Sequence, residues 1–262
     1  MKDPRPNKNL GQHWLHDADA LADIVDAAEL VSDETVLEIG PGLGTLTKLL
    51  VKAAQQVVAV EFDPTLAREL PRRVPAKNLQ VVHQDILKFD LSSLPKNYKV
   101  VANVPYYITS KIVNLLLTAQ CPPQRIVLLV QKEVAQRIAA SPGDMSVLGV
   151  SAQLFAEVSL SNEVPAALFT PPPKVDSQVV ILQVRPTPLF TDINREHFFT
   201  VVKAGFSSRR KKLRSSMAGG LLISKPEAEE LLGQADVDAN ERAENLSLEA
   251  WARIARTFKK PQ

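Results

Sequence analysis

Between residues 35 and 130 the sequence keeps one rhythm, in which short β-branched runs alternate with stretches of helical spacing. The runs occupy residues 35–39, 57–61, 79–83, 99–102 and 126–130. Strands joined by helix-length connections pair in parallel, and right-handed crossovers leave helices on both faces of the sheet. Residues 46–54 and 110–118 have the spacing for two of those helices. After the fifth run the rhythm breaks. Residues 150–160 and 177–184 are separated by a proline-rich loop with no helical stretch, which predicts a terminal antiparallel hairpin. The proline-bounded segment 185–188 then reads as a linker into helices over 195–204, over 209–217, after Ser224 with Pro226 in the first turn, and from Ser247 to about Phe258. The expectation is an α/β domain over residues 1–186 and a small all-helical domain over residues 187–262.

A chain of 262 residues with 45% apolar content supports a buried core of ordinary size. It has no run of about 18 apolar residues and no signal-peptide layout at its start, so no membrane association and a cytoplasmic location are expected. The single cysteine, Cys121, has no partner for a disulfide and no neighbour at metal-ligand spacing, so no metal is expected. The net charge of +2 does not mark a nucleic-acid binder, which shifts that question to where the charges fall.

Three strand ends carry a cofactor-like pattern. Glu38-Ile39-Gly40-Pro41-Gly42-Leu43-Gly44 follows the first run and opens a helix. Glycines permit a sharp turn and close approach of a ligand to the backbone, and the helix start supplies N–H groups. The third glycine comes one residue earlier than in a dinucleotide fingerprint, and a purely structural strand-to-helix turn is the alternative. Glu61 ends the second run, about 20 residues on, where an acid can accept from both ribose hydroxyls. Asp85 follows the third run and can accept from an adenine amine. Either acid alone reads equally as a helix cap. Five parallel strands and a hairpin suit a nucleotide-cofactor methyltransferase sheet better than a dehydrogenase sheet.

The fourth run ends in Asn103-Val104-Pro105-Tyr106. An adenine amine is a poor nucleophile because its lone pair is delocalised into the ring. The Asn103 side-chain carbonyl and the Val104 main-chain carbonyl can both accept the amine's hydrogens, which turns the lone pair toward a methyl donor. Pro105 biases Val104 to an extended conformation, and Tyr106 offers a π-face to an extruded base. A strand-terminating turn is the alternative. The scheme requires alignment rather than a general base, and His16, His83 and His197 are given no catalytic role.

On these motifs the chain resembles the KsgA (RsmA) type small-subunit ribosomal RNA adenine dimethyltransferases. The segment Asn9-Leu10-Gly11-Gln12-His13-Trp14-Leu15 resembles the family's G-Q-N-F-L, and Leu168-Phe169-Thr170-Pro171-Pro172-Pro173-Lys174-Val175-Asp176-Ser177 resembles its F-x-P-x-P-K-V-x-S. The resemblance implies a class I S-adenosylmethionine-dependent methyltransferase with a Rossmann-like sheet. It implies cofactor contacts from His13, Leu15, Gly40, Glu61, Asp85 and Asn103, with Glu38 and Gly42 as candidates from the same glycine turn. It also implies that Phe169 stacks on the target adenine opposite Tyr106; an aromatic in a proline-stiffened loop can be exposed for that, or can anchor the loop on the core. His13, Trp14 and Tyr107 depart from the family's Asn, Phe and frequent Asn, and Met145-Ser146-Val147 replaces a frequent Tyr-Gly-Arg, where no substrate contact is assigned.

Lys203, Arg209, Arg210, Lys211, Lys212 and Arg214 fall within a dozen residues that contain no acid. Such a run repels itself unless a polyanion neutralises it, or it is simply a solvated helix face. Lys2, Arg5 and Lys8 extend the positive surface in sequence. The resemblance implies successive methyl transfers to N6 of two adjacent adenosines in a hairpin loop near the 3′ end of 16S rRNA, in the small ribosomal subunit or its precursor; a monomer is expected. The alternatives are a large-subunit rRNA adenine methyltransferase, and a non-catalytic ribosome-assembly or transcription factor on the same fold.

Overall fold

In the computed structural model, residues 4, 6, 10–208 and 210–259 are described. Lys2, Arg5, Lys8, Asn9 and Arg209 lie outside them. The chain forms two compact units, Met1–Gln136 with Ala156–Val184, and Arg137–Phe155 with Arg185–Gln262.

The first unit holds nine strands in chain order, with helices between them. They are β1 (Trp14–Leu15), α1 (Ala18–Asp26), β2 (Thr35–Ile39), α2 (Thr47–Ala53), β3 (Gln56–Glu61), α3 (Pro64–Arg73), β4 (Leu79–His83), β5 (Lys99–Asn103), α4 (Thr109–Leu117) and β6 (Arg125–Gln131). After α5 (Lys132–Ile138) and α6 (Val147–Phe155) come β7 (Ala156–Val164), β8 (Phe169–Thr170) and β9 (Ser177–Val184).

Seven strands form one sheet in the order β4-β3-β2-β5-β6-β9-β7. The pairings among β2 to β6 are parallel, while β9 runs antiparallel to both β6 and β7. Val36, Leu37, Val100, Val101 and all of Ile126 to Val130 are buried, as a sheet covered on both faces requires. On one face Leu21, Ile24, Leu50, Val57, Val101, Val127 and Val179 share a core. Strand order reverses at β2, between β3 and β5, which opens a crevice at the C-terminal ends of the strands.

The expected hairpin is corrected at its first arm. Residues 150–155 belong to α6, and the strand begins only at Ala156. A run such as Val-Leu-Gly-Val-Ser-Ala-Gln-Leu-Phe is buried nearly all round, so its periodicity does not separate strand from helix. Local chemistry makes it helical. Ser146 Oγ accepts from Gly149 N at 3.1 Å, and Gln153 Nε2 donates to the carbonyls of Ile138 and Ala140 at 3.0 and 2.8 Å. Gly149 is required there, since a Cβ would sit 2.7 Å from the Arg137 carbonyl oxygen.

The second unit adds α7 (Arg195–Gly205), α8 (Leu213–Leu221), α9 (Lys225–Gln234) and α10 (Leu248–Thr257). Ser224 closes a capping box with Glu227, and Ser247 Oγ caps α10 by accepting from Ala250 N at 3.2 Å. Trp251 fills the centre of this unit, and a Cβ on Gly205 would strike its indole. The segment expected to be a linker is held instead. Arg185 N and Leu189 N donate to the carbonyls of Phe155 and Leu154 at 2.8 and 2.9 Å, which joins 137–155 to the C-terminal helices. The chain therefore crosses between units more than once, where the sequence suggests one cut near residue 186.

Candidate active site

The crevice beside β2 contains a cavity of about 290 Å³. Its lining comes from strand ends and from the N-terminal segment, and includes His13, Trp14, Leu15, Glu38, Gly40, Gly42, Glu61, Asp85 and Asn103 to Tyr107. All eight residues expected to contact the cofactor are in that lining.

The glycine turn is built on left-handed backbone. Gly40, Gly42 and Gly44 have φ of +67°, +57° and +80°. Their surroundings differ. A Cβ on Gly44 would sit 2.7 Å from Leu70 Cδ1 and 2.8 Å from Val74 Cγ2, so that glycine serves packing. A Cβ on Gly40 would meet only Pro105 Cδ at 3.9 Å, which leaves backbone open to a ligand.

Glu61 clamps the turn. Its Oε2 accepts from Gly42 N at 3.0 Å and its Oε1 from Asp63 N at 2.8 Å. Burial raises its pKa above the ordinary carboxylate value, and those backbone bonds oppose the rise. Each oxygen keeps a second lone pair for a hydroxyl donor. Asp85 Oδ1 caps the turn after β4 by accepting from Leu87 N at 3.0 Å, which leaves Oδ2 for an amine.

Glu38 is the strained member of the set. It is 1% exposed, and its Oε2 has no hydrogen-bond partner among the described residues. Burial pushes its carboxyl up to about 8, with Thr47 opposing and Glu61 adding to the rise. A buried acid without a partner costs stability until a donor or cation meets it. A cation such as an α-ammonium would meet that need.

Asn103 closes β5. Its Nδ2 donates to the His13 carbonyl at 3.3 Å, and this bond fixes the amide so that Oδ1 faces away from the N-terminal segment. Val104 is buried and its N donates to the Leu129 carbonyl at 3.4 Å. Pro105 is extended, with φ −59° and ψ 128°, and its carbonyl receives Ile108 N at 3.2 Å. Tyr106 is tethered through its hydroxyl to Ser177 Oγ at 2.7 Å, and its ring lies nearly parallel to His13, with centroids 6.0 Å apart. Burial raises the Tyr106 hydroxyl's pKa and the Ser177 bond opposes the rise, so the phenol is neutral and acts as a fixed surface.

Phe169 departs from expectation. It is 2% exposed, belongs to the core with Leu15, Val164 and Val179, and does not line the cavity. The cause is a pairing that the sequence did not announce. β8 runs antiparallel to β1, with Leu15 opposite Phe169 and Trp14 opposite Thr170, which draws the ring onto the core as a loop anchor. His13 Nδ1 reinforces the same join by donating to the Pro171 carbonyl at 2.7 Å. Two further residues escaped sequence reasoning. Ser177 lies in a motif that was read without a role for it, and Trp14 packs with Leu43 and Leu66 beneath Gly42. Neither contact has a local signal.

The basic stretch is sorted by the structure. Lys203, Arg210, Lys211 and Lys212 are exposed. Arg214 pairs with Glu229 at 2.7 Å and Lys212 Nζ donates to Asn240 Oδ1 at 3.0 Å, so part of the charge is matched by α9 and its following turn. The helix expected from residue 209 begins at Leu213, which leaves 210–212 in the preceding turn. The N–H groups of Leu213 and Arg214 are already taken by the carbonyls of Glu241 and Ala239. Any polyanion must therefore be met by side chains.

Residues 4–260 match the family described as Ribosomal RNA adenine dimethylase. The chain belongs to that family. A ribosomal RNA small subunit methyltransferase A of Dehalococcoides mccartyi is 42% identical over 95% of this chain and 87% of its own length. A dimethyladenosine transferase from Plasmodium falciparum has a TM-score of 0.80 at 28% identity, covering 92% of this chain and 95% of that one. The 23S rRNA methyltransferase ErmE has a TM-score of 0.75 at 31% identity, covering 93% and 98%. As a member of the ribosomal RNA adenine dimethylase family, the chain is an S-adenosylmethionine-dependent rRNA methyltransferase of class I fold. Its cavity fits that cofactor. Glu38 Oε2 awaits a cation, Gly40 leaves room beside the backbone, and Glu61 and Asp85 keep lone pairs for a nucleoside.

Proposed function

We propose that the protein transfers methyl groups to N6 of two adjacent adenosines in a hairpin loop near the 3′ end of 16S rRNA, giving N6,N6-dimethyladenosine during assembly of the small subunit in the cytoplasm. When bound, S-adenosylmethionine supplies an electrophilic methyl on its sulfonium. Asn103 Oδ1 and the Val104 carbonyl would accept the two amine hydrogens in the first transfer, and one of them the single remaining hydrogen in the second, which aims the nitrogen lone pair at that methyl. Tyr106 supports the base through one face. The proton leaves after the methyl arrives, so no base is called for.

The observation that carries this reading is the Asn103 amide, whose nitrogen is occupied by His13 and whose oxygen is thereby presented as the acceptor. Small-subunit specificity is supported by the 42% identity to a small-subunit relative against 31% to the large-subunit enzyme. The catalytic role lies with the first unit. Docking on rRNA is assigned to the second, through Lys203, Arg210 and Lys211, which have no acid partner among the described residues. The chain acts as a monomer in this reading. Incubation with labelled cofactor and unmodified small subunits, followed by nucleoside analysis, tests it. Labelled dimethyladenosine is expected in small-subunit RNA, and label confined to large subunits or to monomethyladenosine overturns the reading.

A further inference from the structure

We propose that Tyr107 is a stacking platform for the nucleobase next to the one being methylated. This rests on the adenine-methylating reading above and adds a second contact on the same strand.

The turn from Tyr106 to Ile108 is a 3₁₀ turn, in which successive side chains diverge by about 120°. Tyr106 is half-buried and tied to Ser177, while Tyr107 is 62% exposed at the rim of the same cavity. One side of the Tyr107 ring faces Gly11 of the N-terminal segment, across a space that a Cβ on that glycine would fill. A Cβ on Gly11 would lie 3.5 Å from Tyr107 Cδ1 and 3.8 Å from Cε1, and Gly11 has a φ of +60°. Beyond this, the Tyr107 hydroxyl and ring have no hydrogen bond or ring contact among the described residues.

An isolated exposed aromatic is ordinary on a protein surface. Its position sets this one apart. A base extruded into the cavity and held by Tyr106 leaves its neighbour one nucleotide away, unstacked on one side. The ring next to Tyr106 in sequence stands at the mouth through which that strand must pass. Phe62, also exposed, follows Glu61 and so sits on the ribose-facing side of the cofactor site. Phe169 is buried. A neighbour that is itself adenine gives the broadest face for such a contact, so two adjacent adenosines suit one platform in turn.

The test uses the full chain with unmodified small subunits carrying either the natural adjacent adenosines or a uridine beside the target. Tyr107→Ala should raise KM for natural subunits about tenfold, the scale of one lost base–aromatic stack. Tyr107→Phe should stay within about twofold of wild type, and cofactor affinity by equilibrium binding should be unchanged in both variants. The uridine substitution should weaken wild type but leave Tyr107→Ala unaffected. An unchanged KM in Tyr107→Ala overturns the proposal. So does equal loss in Tyr107→Phe, which would indicate a hydroxyl contact, or a matching loss of cofactor affinity, which would place the ring over the cofactor. If wild type itself forms no dimethyladenosine, the underlying reading fails instead.

Discussion

The cavity and the basic turn before α8 handle polar groups in opposite ways. At the cavity three polar side chains are fixed by the backbone. Glu61 holds Gly42 and Asp63, Asp85 holds Leu87, and Asn103 holds the His13 carbonyl. What remains free on each group is acceptor capacity in fixed directions. In the basic turn the charges stand in water, and the backbone donors behind them are already satisfied. Orientation can thus be exact at the cavity, whereas the turn offers charge density with little geometry. Chemistry needs the first arrangement. Attraction to a flexible polyanion needs only the second.

This contrast breaks most readily at Asn103. Asn103→Ala removes the side-chain acceptor together with the bond to the His13 carbonyl, and turnover should fall about 10²–10³-fold, as for loss of one preorganised polar contact. Cofactor affinity should weaken far less, because Glu38, Glu61 and Asp85 are untouched. Single-turnover methylation beside equilibrium cofactor binding separates the two, and near-normal turnover would remove Asn103 from the chemistry.

The opposite end of the comparison is Arg210 with Lys211. Replacing both by Ala should weaken RNA binding about tenfold near 0.1 M salt and lower the slope of log K against log salt by about 1.5, with kcat at saturation unchanged. Arg214→Ala should differ. Its charge is committed to Glu229, so the main effect is a small loss of stability of under about 1 kcal/mol. Binding isotherms over a salt series decide between them, and equal slopes for all variants would make the turn merely solvated.

The same contrast explains what the sequence reveals. Residues that act from strand ends are legible, because a parallel sheet gathers the C-terminal ends of its strands whatever the details. Glu38, Glu61, Asp85 and Asn103 therefore come together as expected. Residues that act through non-local pairing are not. Phe169 was expected to stack on the target adenine, with a loop anchor as the alternative, and only the pairing of β1 with β8 across about 155 residues decides for the anchor. Likewise the charge of Arg214 is plain in sequence, whereas Glu229 reaches it only through the packing of α9 on α8. Helix α6 fails for another reason, since burial on nearly all sides erases the periodicity that would identify it.

Glu38 sharpens the comparison from within the cavity, because it is the polar group there whose Oε2 the backbone leaves unmet. Folded protein holds its proton up to about pH 8, whereas the unfolded chain releases it in the ordinary carboxylate range. The folded-state value is raised, so its contribution is fully present at acid pH and is lost as pH rises through that window. Glu38→Gln cannot lose a proton. Its melting temperature relative to wild type should therefore climb between pH 5 and pH 8, by several degrees at the upper end. Adding the cofactor should reverse the order at pH 8, because wild type gains a partner for its carboxylate and the amide gains less. Thermal scans across that range, with and without cofactor, make the check; parallel pH profiles for the two proteins would mean that Glu38 is already satisfied.

The smallest effect is expected at the Tyr106 tether. Ser177→Ala and Tyr106→Phe each delete the 2.7 Å hydroxyl contact while keeping the ring. A hydrogen bond between neutral groups contributes about 1 kcal/mol, so each variant should lose about that much stability. If the tether's purpose is to hold the ring at the base, both should raise KM for small subunits a few-fold with kcat nearly unchanged, and the double variant should be no worse than either single one. Additive losses would show that the two hydroxyls serve separate partners, and the ring would then be positioned by its packing beside His13 alone.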